Sequence, residues 1–160
     1  MAMDMLVKLY DLPLDFRFVQ ELAEKGIIIR KPIGPEKPHV VNWITEEAAF
    51  SAGWASEFEV TMGTHPFTSF IATQESDLIG FACYDATALG FVGPIGVRED
   101  RRRMGVGRAL LLACLLEMKL KGYGYAAIGW AGPAEFYQKV CAAVPIPDSH
   151  PGIYGDMLRG

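Results

Sequence analysis

Two short apolar runs, separated by polar residues, stand in the middle of the chain. Residues 68–73 and 78–84 are rich in β-branched, aromatic and small apolar side chains, and the polar run 74–77 between them predicts a β-hairpin. After a turn at 85–88, a third strand is predicted over 89–97. Pro94 inside it has no N–H for a ladder, so a bulge or an opening is expected there. The pattern then becomes helical. Residues 106–121 are apolar on most sides, with Arg108, Glu117, Lys119 and Lys121 as their charges, so neighbouring elements should cover this helix. Gly122 supplies its C-cap. A strand over 125–129 and a short helix over 133–140, with Pro133 in its first turn, come next.

The flanks are less regular. Residues 5–10 are extended, and 14–25 form a helix with Phe18, Val19 and Leu22 on one side and Gly26 at its end. The β-branched run 27–29 is a short strand or a turn. Gly34, Pro35 and Pro38 make 33–38 a loop. The stretch 40–62 suits a helix broken at Gly53, with Trp54, Phe58 and Thr61 at helical spacing, and 64–66 is a turn. Residues 145–152 are loop, and 154–158 are expected as a last edge strand. No repeat or linker divides the chain, so one domain over 1–160 is expected. The order of elements is α+β, with antiparallel hairpins first and a strand–helix–strand unit later. Such a crossover implies local parallel pairing.

Composition narrows the function. The chain has 160 residues, 51% apolar and 21% charged, with a formal net charge of −4. That balance disfavours bulk binding to nucleic acid or to an anionic membrane, since both select basic surfaces. The local patch Arg101–Arg102–Arg103 is short and has no interleaved aromatics. Cys83, Cys114 and Cys141 are odd in number and lack metal-ligand spacing, so they are expected in the core, reduced, with no metal site. The start, Met1-Ala2-Met3-Asp4, does not resemble a signal peptide, and the apolar run 109–116 is too short for a bilayer. A soluble, cytoplasmic protein is expected.

The chemistry concentrates in Gly96-Val97-Arg98-Glu99-Asp100-Arg101-Arg102-Arg103-Met104-Gly105-Val106-Gly107-Arg108. A strand ends, basic residues follow, and two glycines open a helix. A helix N-terminus exposes unpaired N–H groups and a partial positive potential, and glycine lets a ligand come close to the backbone. This is a cradle for phosphate or pyrophosphate. A P-loop would end in Lys-Ser/Thr, which is absent, and a dinucleotide fingerprint would have Gly or Ala where Leu110 stands.

Arg102-x-x-Gly105-x-Gly107 resembles the (Arg/Gln)-x-x-Gly-x-(Gly/Ala) signature of the GCN5-related N-acetyltransferase (GNAT) superfamily, and the resemblance runs over about 68–140. It implies a three-layer α/β/α fold with a mixed, mostly antiparallel sheet, flanking helices and a splayed central strand pair. It implies acetyl-CoA as cosubstrate. Backbone groups of Ile95, Gly96 and Val97 would meet pantetheine. Arg102, Arg103, Met104, Gly105, Val106, Gly107 and Arg108 would line the pyrophosphate. Residues 132–139 resemble the family's last helix, with Tyr137 at the position of the tyrosine that protonates the leaving thiolate. A phenol with a pKa near 10 stays protonated at neutral pH and suits that role. The usual Asn and Ala of that motif are Trp130 and Pro133 here.

The implied reaction is direct acetyl transfer to a primary amine of a small, cationic or amino-sugar-like acceptor. The acceptor base is open among Glu57, Glu59, Glu46, Glu47 and Asp85. Glu57 is favoured because it follows Trp54 by three residues, on one helical face. A non-catalytic acetyl-CoA sensor and an acyltransferase acting on a protein amine are the competing readings. A homodimer suits the fold.

Overall fold

The computed structural model describes residues 2–158. In chain order, β1 (Met5–Lys8), α1 (Arg17–Ala23), β2 (Ile27–Arg30), α2 (Lys37–Asn42) and α3 (Ala52–Thr61) lead to a β-meander. Its strands are β3 (Ser69–Gln74), β4 (Asp77–Tyr84) and β5 (Val92–Val97). The chain continues through α4 (Val106–Leu120), β6 (Tyr125–Ile128), α5 (Ala134–Cys141) and β7 (Val144–Pro145).

The strands make two antiparallel sheets, ordered β2-β3-β4-β5 and β6-β1-β7. One parallel bridge, Phe91 to Ala127, joins them, and the Ala127 N–H donates to the Gly90 carbonyl at 2.9 Å. Among the described residues β5 and β6 share no ladder beyond it, so the two strands part. This is the splay that the resemblance implied.

β4 explains the layering. It is apolar on both faces and buried along nearly its whole length. Ile79, Ala82 and Tyr84 join α1 and α4 in one core, whereas Leu78, Phe81 and Cys83 pack with Val40, Trp43, Ile44 and Phe58 of the other. Helices therefore cover both faces, giving three layers. α4 buries Leu110, Leu111 and Leu115 completely, each stabilising the fold by about 1.5–3 kcal/mol. Its C-terminus closes on Gly122, at φ +100°, with the Tyr123 N–H donating to the Met118 carbonyl. Cys83, Cys114 and Cys141 are free and buried.

Several local expectations are corrected. The predicted loop 33–38 is partly helical: the Glu36 carboxylate accepts the Ile33 N–H at 2.8 Å and pairs with Arg30, and Pro38 sits in the first turn of α2. The helix over 40–62 breaks before Gly53, not at it. A π-helical turn over Trp43–Glu47 ends at Ala48, and Ser51 caps α3 by accepting the Trp54 N–H at 3.2 Å. The strand predicted from residue 89 begins at Val92, because Asp85 folds the preceding loop by accepting from the Gly90 N–H at 2.7 Å and the Tyr123 hydroxyl at 2.6 Å. Ile95 faces Ala82 while Val92 faces Tyr84, so β5 carries one extra residue around Gly93-Pro94. That bulge accommodates the missing N–H of Pro94. The edge strand expected over 154–158 does not form. Tyr154 instead packs on Trp130, with ring centroids 4.3 Å apart, and β7 takes the edge beside β1.

Candidate active site

The splay, the loop after β5 and the first turn of α4 open into one cleft of about 520 Å³. Its walls are Phe50, Trp54, Ile95, Gly96, Val97, Arg102, Arg103, Gly105, Gly107, Arg108, Gly132, Pro133, Phe136 and Tyr137.

The basic end is built by backbone conformation. Arg103 and Gly105 both have left-handed φ, +70° and +85°, which turns the chain sharply into α4. Gly105 occupies the N-cap without a side-chain cap, so the first N–H groups of α4 keep their unpaired character. Arg102, Arg103 and Arg108 add three positive charges, and among the described residues no carboxylate lines the cleft. Arg102 also donates from Nε to the Val97 carbonyl at 3.1 Å, bracing the end of β5. Arg101 is turned elsewhere, to Gln74 at 2.8 Å and Asp100 at 3.0 Å. This end is suited to an anion with several oxygens.

Tyr137 stands on α5, half-buried and facing the same cleft. Burial, and then the neighbouring Cys141, push its phenol above the usual tyrosine range. The group therefore stays protonated through neutral pH. Tyr84 and Tyr123 differ, since each donates to a carboxylate, Glu117 or Asp85.

The structure gathers Ile95, Gly96, Val97, Arg102, Arg103, Gly105, Gly107, Arg108 and Tyr137 around this space. Met104 and Val106 are placed otherwise. Met104 faces outward beside Arg98 and Arg101, and Val106 is buried under the sheet, so each can offer the cleft only backbone. Glu57 lies one helical turn beyond Trp54 and is not part of the lining; its carboxylate accepts the Thr87 hydroxyl. Burial raises the Glu57 pKa, and the Thr87 bond opposes the shift. The other acidic candidates are tied up or remote: Asp85 holds its loop, Glu59 pairs with Lys37 at 3.7 Å, and Glu46 and Glu47 are exposed. Trp130 is clasped between His150 and Tyr154 rather than lining the cleft.

Phe50 and Phe136 line the cleft without having been singled out from sequence. Phe50 precedes the Ser51 cap and packs against Trp54, with ring centroids 5.0 Å apart and the planes tilted by 41°. An aromatic residue just ahead of a serine cap was the available signal.

A sheet that parts beside an uncapped, arginine-lined helix start is the arrangement that the resemblance to the acetyltransferases implied. The family model of the acetyltransferase (GNAT) domain matches residues 65–140. Over those residues, just under half of the chain, the sequence matches the GNAT domain. Its fold resembles a GCN5-related glucosamine N-acetyltransferase region of a fungal multi-domain GH3 β-N-acetylglucosaminidase, with a TM-score of 0.71 and 13% identity, over 91% of this chain and 20% of that one. A GCN5-related N-acetyltransferase from Sphaerobacter thermophilus gives 0.67 and 16%, over 91% of this chain and 48% of that one. A GNAT family acetyltransferase from Brucella melitensis, solved with acetyl-CoA, gives 0.55 and 18%, over 71% and 80%. The chain thus spans only 20% and 48% of the first two. No curated protein sequence matches it significantly. Among the described residues no helix is long and apolar enough to cross a membrane, and no cluster of three or more His, Cys, Asp or Glu could hold a metal ion.

Proposed function

We propose that this protein transfers an acetyl group from acetyl-CoA to the primary amine of a small, cationic or amino-sugar-like acceptor. The observation that carries the reading is a single cleft lined at once by Ile95–Val97 of β5, the arginine-flanked start of α4, and Tyr137. These residues fit the cosubstrate: an uncapped helix start and three arginines offer an anion unpaired N–H groups and positive charge, and among the described residues no carboxylate lines the cleft. Acetyl-CoA supplies an activated thioester carbonyl.

The chain supplies the rest. Arg102, Arg103, Arg108 and the N–H groups at the start of α4 hold the pyrophosphate. Backbone of Ile95, Gly96 and Val97 aligns the pantetheine arm, and an N–H of this strand steadies the charge growing on the carbonyl oxygen. Pro94 can offer none. The amine nitrogen bonds the carbonyl carbon as the C–S bond breaks. Tyr137 gives its proton to the departing sulfur and regains one from solvent. The surplus proton on the nitrogen passes through water to Glu57, whose raised pKa suits a base.

The test is release of free CoA thiol from acetyl-CoA with a panel of amines: glucosamine first, then polyamines, aminoglycosides, amino acids and a basic peptide. Glucosamine leads because the fungal region resembled above is a glucosamine N-acetyltransferase. Acceptor-dependent release is expected, with Tyr137→Phe lowering kcat by about 10²–10⁴-fold and leaving acetyl-CoA affinity unchanged. Acetyl-CoA binding without turnover on any amine would point to a sensor. Absence of binding would refute the cradle.

A further inference from the structure

We infer that Phe50 is the residue that sets acyl-chain length, restricting the donor to short acyl groups. The inference rests on the acetyl-CoA reading above and goes beyond it. β5 presents alternate residues to its two faces. Ile95 and Val97 pack toward the α4 side, whereas a side chain on Gly96 would point to the α3 side. What stands there is Phe50: a Cβ on Gly96 would lie 2.5 Å from Cε2 of its ring. The ring therefore rests on bare backbone, in the middle of the segment that aligns pantetheine.

Phe50 does not swing freely. Its N–H donates to the Ile44 carbonyl at 2.8 Å. Its ring lies 5.0 Å from Trp54 and 6.3 Å from both Trp43 and Phe81, centroid to centroid. It is nevertheless only half-buried, and with Trp54 it forms the apolar wall of the cleft on the α3 side. The acyl tail is the apolar end of the donor, and a carbon chain leaving the sulfur toward the α3 side runs into the wall that this ring forms with Trp54. A fixed ring at that point is a stop: a methyl group fits in front of it, and a longer chain collides.

Acetyl-CoA, butyryl-CoA, hexanoyl-CoA and CoA itself are titrated by calorimetry and by tryptophan fluorescence, which Trp54 reports. Thiol release is followed on the same series, for wild type, Phe50→Ala and Phe50→Leu. Near-UV circular dichroism and the affinity for CoA itself check that each variant is folded. Wild type is expected to prefer acetyl over butyryl. Phe50→Ala is expected to raise the butyryl-to-acetyl affinity ratio at least about tenfold, since one methylene in an apolar pocket discriminates by roughly 10–200-fold. Phe50→Leu should fall between. Wild type that binds hexanoyl-CoA as well as acetyl-CoA overturns the inference, whether or not the alanine variant folds. So does a folded Phe50→Ala or Phe50→Leu with an unchanged acyl profile. If CoA itself fails to bind wild type, the acetyl-CoA reading falls and takes this inference with it; if CoA binds and only the acyl profile disagrees, the inference alone falls.

Discussion

Replacing Gly96 with alanine puts a methyl group where two rings already lie. The new Cβ would sit 2.5 Å and 3.0 Å from two carbons of Phe50 and 2.8 Å from Cε1 of Phe81. Non-bonded carbons rest about 3.5–4.0 Å apart, so each ring must retreat by roughly 1 Å. Phe81 has nowhere to go. It is fully buried, and the rings of Trp43, Phe50, Trp54 and Phe58 surround it at 6.1–6.4 Å between centroids. Overpacking of this kind costs about 1–3 kcal/mol. Loss of glycine's freedom in the unfolded chain offsets about 0.4–1 kcal/mol of that. The net expectation is a loss of about 1–2 kcal/mol, or a melting temperature lower by roughly 2–8 °C for a chain of this length. Urea unfolding should show a lower midpoint at an unchanged slope. The cause is isolated by adding Phe50→Ala. With that ring gone, the methyl should be partly accommodated, giving a favourable coupling of about 0.5–3 kcal/mol. A Gly96→Ala protein as stable as wild type, or a cycle that is simply additive, would refute the claim that Gly96 exists to seat Phe50.

The remaining predictions concern protons. Because burial raises the Glu57 pKa, the acidic limb of the kcat/KM profile should lie above the ordinary glutamate value of about 4.3. Glu57→Gln should lower kcat and abolish that limb; a variant with an unaltered profile would remove Glu57 from the chemistry. Glu36, by contrast, is held at about 2, chiefly by its hydrogen bonds from Arg30. A depressed carboxylate stabilises the fold above its unfolded pKa, and the contribution fades as pH falls through the folded one. The stability difference between wild type and Glu36→Gln, read by urea midpoint, should therefore be constant above about pH 5 and shrink toward pH 2.

Much of this architecture was legible because its signals are local. The hairpin of β3 and β4 is written in two β-rich runs around a polar turn, and α4 in an apolar run that stops at a glycine. The glycine-opened start of α4 was legible for the same reason, since Arg102, Gly105 and Gly107 are close in sequence and lie within one turn of backbone. Even the awkward Pro94 pointed correctly to an irregular strand, because a missing N–H has few ways to be accommodated. The misreadings lie where a side chain from a distant segment decides the outcome. Tyr154 has a strand-like neighbourhood in sequence, but its hydroxyl end lies against Gly129, so close that a Cβ there would sit 2.0 Å away. Asp4 holds the same region from the other end of the chain, accepting the Trp130 N–H at 2.9 Å. No periodicity near residue 154 reports on residues 4 or 129.

The same distinction separates the two sides of the cleft. The anion side needs only what any helix start provides, N–H groups without partners and charge of one sign, so a short motif can encode it. The α3 side has no such shared device. Its wall is assembled from a helix cap at Ser51, an aromatic residue just before it, a tryptophan on the first turn, and a glycine more than forty residues further along the chain. Each of these has an ordinary local reading: a cap, a core ring, a helix residue, a flexible point in a strand. Only their meeting at Gly96 makes them a surface that can select a ligand. If the proposed donor binds here, an opening whose anion end is built from backbone and whose far wall is built from side chains can keep that donor while its selectivity changes by substitution at a few positions. On the inference drawn above, Phe50 is the first of those positions to alter, because its ring combines close contact with Gly96 of β5 and exposure to the cleft.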